Sequence, residues 1–90
     1  MLKTLEELIA TIRQRKESSV EESYTYKLIK SKKLSVEKIK EEIAELIEAI
    51  EKNTNKVHEA ADVLDHLMVL LEASGIKIED VMDELKKRQK

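Results

Sequence analysis

The 90-residue chain has no cysteine, proline, tryptophan or phenylalanine, a single glycine and only two tyrosines. Without Cys no disulfide can staple a small fold, a pattern that suits a reducing compartment. With no Pro, and Gly75 the lone Gly, few positions interrupt a helix. No apolar run approaches the roughly 18 residues of a membrane span, and Met1–Glu7 lacks the apolar region of a signal peptide. A cytoplasmic protein without a membrane partner is expected. Nineteen acidic against 17 basic residues leave a net charge of −2. A dedicated nucleic-acid binder would carry a basic excess on one face, so no nucleic-acid partner is expected.

What is present is Glu, Lys, Leu and Ile, a composition that favours helix at nearly every position. Apolar residues spaced three and four apart mark four main helices. The first spans Leu2 to Lys16, with Leu5, Leu8, Ile9 and Ile12 on one stripe. Glu17–Glu22 reads as a polar connector, Ser23–Ile29 as a short helix or ordered turn, and Lys30–Lys33 as an exposed basic loop. The second helix is expected to begin after Ser35 as N-cap, with Val36, Ile39, Ile43, Leu46, Ile47 and Ile50 as its core stripe. Asn53–Asn55 ends it. The third helix, Lys56 to Ala73, is apolar over about half its circumference, too wide an arc for one neighbour. Ser74-Gly75 stops it, and the fourth helix runs from Ile78 to Gln89. An all-α bundle with antiparallel neighbours follows from the short connections. A single domain this small buries little apolar area, so a homodimer is expected to complete its core.

The chemistry-bearing feature is Glu41-Glu42-x-x-Glu45 on the second helix with Glu59-x-x-Asp62 on the third. Residues three or four apart share a helix face, so antiparallel packing lets the two pairs of carboxylates converge. Gathered carboxylates repel unless a cation compensates, and hard oxygen ligands select Mg2+ or Mn2+. Taken alone, Glu-Glu-x-x-Glu in so Glu-rich a chain is more often a solvated face, as Glu37, Glu48 and Glu51 are read to be. Glu59 and Asp62 add weight because they stand in an Ala- and Leu-rich helix. His66, one turn beyond Asp62, lies on their side. His58 reads as solvent-facing, and the default for Arg13 and Arg15 is pairing with Glu on the helix surface. No nucleophile elbow, phosphate-cradling Gly-rich loop or zinc spacing is present.

Three segments carry a resemblance: Ser23-Tyr24-Thr25-x-Lys27-Leu28, Lys38-Ile39-x-Glu41-Glu42-x-x-Glu45, and Glu59-Ala60-Ala61-Asp62-Val63-Leu64-x-His66-Leu67. Together they closely resemble the phosphoribosyl-ATP pyrophosphohydrolases, and the match runs from Leu5 to Arg88. The carboxylate motifs are shared with other all-α nucleotide pyrophosphatases, including MazG-type enzymes. The Ser-Tyr-Thr-x-Lys-Leu and Ala-Ala-Asp…His-Leu segments narrow the resemblance to the histidine-pathway family. It implies one all-α nucleotide pyrophosphohydrolase domain over residues 1–90, acting as a Mg2+-dependent homodimer that cleaves phosphoribosyl-ATP to phosphoribosyl-AMP and pyrophosphate. By position, Glu42, Glu45, Glu59 and Asp62 hold metal. Glu41, with Glu42 and Glu45, is implied in catalysis, as a further ligand or by orienting water. Ser23, Tyr24, Thr25, Lys27, Lys38 and His66 are implied in substrate binding. Three features depart from the family pattern: Lys40 where Gly is usual, Asp65 where Tyr is common, and Lys32-Lys33 in a loop that usually holds Gly. They leave open a MazG-type enzyme acting on another nucleoside triphosphate. From the composition alone, a non-catalytic helical interaction module is the further alternative.

Overall fold

Five helices follow one another in the computed structural model, which describes residues 2–17 and 24–89. They are α1 (Leu2–Glu17), α2 (Tyr24–Lys30), α3 (Lys32–Lys52), α4 (Lys56–Ala73) and α5 (Ile78–Arg88). Among the described residues there is no strand, as the composition requires. The short segment after the connector is a true helix, α2, and α4 has the bounds that its apolar spacing predicts.

The start of α3 differs from expectation, and the cause is local. Ser31, in extended conformation, is the N-cap, its hydroxyl accepting from the Leu34 N–H. Lys32 and Lys33 therefore belong to the first turn of α3 and not to a loop. Ser35, expected as the cap, is inside the helix and 2% exposed. Its hydroxyl donates to the Leu28 carbonyl, satisfying a buried polar group and tying α3 to the end of α2. Both serines suit an N-cap by type, and only burial distinguishes them.

Two left-handed residues set the hairpin between α3 and α4. Asn53 (φ 57) closes α3 while the Thr54 N–H reaches back to the Ala49 carbonyl. Asn55 (φ 53) precedes α4. This tight reversal turns α4 back along α3, and the two share the most extensive helix–helix contact of the chain. Gly75 (φ 71) follows α4 as expected, with Ile76 N–H bonding to Leu71 O and Gly75 N–H to Glu72 O.

The core gathers Ile12 of α1, Leu28 and Ile29 of α2, and Met68 and Val69 of α4, with Leu5, Leu8, Ile9 and Ile78 packed around them. α4 touches α1, α2 and α3, the central position its wide apolar arc predicts. The α3 stripe behaves differently from expectation. Ile39 is buried, but Ile43, Ile47 and Ile50 are 43–57% exposed, as is Leu64 of α4 at 47%. That part of the stripe faces outward from the chain instead of filling its core.

Candidate metal centre and active site

The α3–α4 hairpin brings the predicted carboxylates together. One ligand oxygen each from Glu42, Glu45 and Glu59 lies within 4.8 Å of the other two. A second set, His58, Glu59 and Asp62, meets the same limit, so Glu59 belongs to both. Asp62 thus joins the centre through Glu59 and His58, 3.4 Å from the His58 Nε2. An open cleft of about 290 Å³ lies beside Glu45 and Glu59, with Lys52 and Asn55 on its rim. The larger apolar groove between α1 and α5, about 580 Å³, includes none of these carboxylates.

Glu42 is the anchor of the centre. It is 5% exposed, and its two oxygens have different surroundings. Oε1 lies 3.1 Å from Lys38 Nζ, one turn back on α3, and 3.8 Å from His66 Nε2 on α4. Oε2 is buried with no hydrogen-bond partner, and so is Oε2 of Glu59. A buried carboxylate oxygen without a partner costs free energy unless something compensates. Two such oxygens beside a third carboxylate are the surroundings that a hard divalent cation requires. The residues present therefore fit Mg2+.

Crowding shows in the ionisation of Glu45. The charge of Glu42 pushes its pKa above the usual carboxylate value, followed by partial loss of water; Glu59 and Glu41 add to the same effect. Glu41 is exposed and lies 3.7 Å from Lys38. Lys38 thus lies against the carboxylates themselves, while Lys27 is exposed on α2. His66 stands behind Glu42, its side chain only 15% exposed. Ser23 and the side chains of Tyr24 and Thr25 lie outside the described residues. Lys40 and Asp65 are both exposed.

Sequence reasoning missed two features. His58, read as solvent-facing, is 72% exposed but stands with Glu59 and Asp62. Its signal was present: four residues before Asp62, it lies on the same side of the helix. The other is the engagement of Arg13 with Glu72 and Glu79, long-range pairings that no local spacing announces.

The family model described as phosphoribosyl-ATP pyrophosphohydrolase matches residues 5–89. A phosphoribosyl-ATP pyrophosphatase of Pyrobaculum arsenaticum is 42% identical, over 98% of this chain and 97% of its own. One from Methylobacterium nodulans is 45% identical, over 94% of this chain and 82% of its own. The histidine biosynthesis bifunctional protein HisIE of Pyrococcus furiosus is 43% identical over 99% of this chain, which spans only 43% of that longer protein. No solved structure matches. With the carboxylate motifs in place and the match extending over nearly its whole length, the chain belongs to the phosphoribosyl-ATP pyrophosphohydrolase family.

Proposed function

We propose that this chain hydrolyses phosphoribosyl-ATP to phosphoribosyl-AMP and pyrophosphate, with Mg2+, as a step of histidine biosynthesis in the cytoplasm. The observation that carries the reading is the convergence of Glu42, Glu45 and Glu59 in a chain matched by the family from residue 5 to 89. Glu42, Glu45, Glu59 and Asp62 would hold the ion. When bound, it supplies charge neutralisation at the polyphosphate and lowers the pKa of coordinated water.

The rest of the work falls to the chain. Lys38 holds one oxygen of Glu42 at 3.1 Å, which fixes the carboxylate and leaves its other oxygen turned away from that pair. His66 closes the inner side of Glu42. Glu41, exposed at the edge of the cluster, is the carboxylate suited to orienting a water near the reacting phosphorus. By family position Lys27 would contact substrate phosphate, and Ser23, Tyr24 and Thr25 would add further contacts to the substrate. Lys27 is a mobile point charge of the kind that suits phosphate.

A homodimer is part of the proposal. Ile43, Ile47 and Ile50 recur at helical spacing and stay 43–57% exposed, an apolar stripe that a small chain gains by covering. The deciding experiment is pyrophosphate release from phosphoribosyl-ATP by the purified chain with Mg2+, with ATP and other triphosphates as controls. Turnover of phosphoribosyl-ATP well above ATP supports the assignment. Preference for another triphosphate moves the chain to a MazG-type activity, and no turnover of any of them overturns the reading.

A further inference from the structure

The groove between α1 and α5, about 580 Å³, has an apolar floor: Leu2, Leu5 and Ile9 of α1 face Ile78 and Met82 of α5. Leu2 is 74% exposed, and Met82 and Leu85 are each 47% exposed. Of the five helices, α5 is packed least against the others. Ile78 at its start joins the core, and the rest of the helix leaves the groove uncovered. The radius of gyration is 14.1 Å, above the value of about 12 Å expected of a compact domain of this length. A helix whose apolar face is left so open gains by burying it against a further surface.

The charges along the groove say which surface fits. Glu79 and Asp83 line it from α5, and Glu6 lines it from α1. Lys86 follows Met82 by four residues and Asp83 by three, so it continues the same wall of α5. One flank of α5 is therefore acidic in its first half and basic in its last turn. Acid at the start of a helix and base at its end also suit the helix dipole, but the dipole does not require either to stand beside the apolar face. Two such helices packed face to face and antiparallel bring Lys86 of each beside Glu79 and Asp83 of the other, with Met82 near the middle. A parallel pair would set like charge against like.

We propose that the α1–α5 groove takes α5 of a second copy of this chain, antiparallel to its own, as an interface separate from the α3 stripe. The same patch serves both copies, as a two-fold contact requires. A contact of so few residues is small beside those that hold stable pairs. It therefore joins the dimers proposed above into tetramers only as concentration rises.

The test is sedimentation of the full chain over a range of concentration. The parent should shift from two copies toward four as concentration rises, and Met82→Lys should abolish that step. Lys86→Glu and Asp83→Lys should each weaken it at least about tenfold, and an equimolar mixture of these two should recover the parental behaviour. All three substitutions are at exposed positions, and circular dichroism checks that each variant stays helical. A parent with no concentration-dependent step, or a mixture no better than either variant alone, overturns the proposal. If the α3 stripe does not pair, the same step joins single chains instead, so failure of the two interfaces is told apart.

Discussion

Arg13 grips Glu79 with both terminal guanidinium nitrogens, Nη1 to Oε2 at 3.0 Å and Nη2 to Oε1 at 2.6 Å, while its Nε reaches Glu72 at 2.9 Å. One α1 side chain thus fastens the end of α4 and the start of α5, a helix with little packing of its own against the bundle. A bidentate pair of this kind adds directional hold that a single contact lacks. The hydrogen bonds from Arg13 draw the Glu79 pKa down from 4.5 to about 2. A carboxylate depressed in the folded state stabilises the fold fully above its unfolded pKa, and the contribution is lost as pH falls toward the folded value. Arg13→Ala should therefore lower the melting temperature by a few degrees at pH 7, and the gap from the parent chain should close between pH 4.5 and about 2. Because the pair is exposed, added salt should narrow the gap as well. Thermal melts across pH and salt check this.

Crowding at the carboxylates gives a second expectation. Glu45 titrates above its usual value because Glu42 stands beside it, so without metal its charge opposes folding at neutral pH. Glu45→Gln should raise the melting temperature of the metal-free chain at pH 7. Adding Mg2+ should reverse the order by stabilising the parent more than the variant. Calorimetry with and without Mg2+ decides it, and a lower metal-free melting temperature for the variant would count against close-packed like charges.

Glu42 should separate activity from folding more sharply. Glu42→Gln keeps the shape and removes the charge that the proposed ion needs. Turnover of phosphoribosyl-ATP should fall at least about 100-fold, while helicity by circular dichroism stays unchanged. Near-parental turnover would remove Glu42 from the centre.

The left-handed positions give a prediction independent of chemistry. Gly75 at φ 71 has open space where a side-chain carbon would stand, so Gly75→Ala should cost about 1–2 kcal/mol from backbone conformation alone. Asn53, at φ 57 in the corresponding place after α3, tolerates this conformation less well than Gly does. Asn53→Gly should be neutral or stabilising by up to about 1 kcal/mol. Urea unfolding midpoints of the two variants should move in opposite directions, or only that of Gly75→Ala should move.

The outward stripe on α3 tests the assembly. Ile47→Lys with Ile50→Lys places charge on residues that are 52% and 57% exposed in the single chain. If a second copy covers them, sedimentation should show the parent as a dimer and the variant as a monomer, with a lower melting temperature. An unchanged sedimentation coefficient would assign the stripe to bare surface.

Much of this was legible in the linear pattern because helical periodicity is local. The bounds of α4, its stop at Gly75 and the α1 stripe of Leu5, Leu8, Ile9 and Ile12 all follow from residues within a few turns of one another. The pairing of Glu42 and Glu45 with Glu59 was legible too, since a three-residue reversal at Asn53–Asn55 leaves α4 no path but back along α3. The N-cap of α3 was not. Ser31 and Ser35 are alike as caps, and what separates them is whether the Leu28 carbonyl stands near enough to take a buried hydroxyl.

Residue order and spacing by themselves marked the four main helices apart from the start of α3, the face each carboxylate occupies and the family to which the chain belongs, because those depend on neighbours along the backbone. Tertiary packing alone decided which oxygen of Glu42 lacks a partner and that half of the α3 stripe points outward. Burial and distance between separate helices are properties of the folded chain, and no local pattern encodes them.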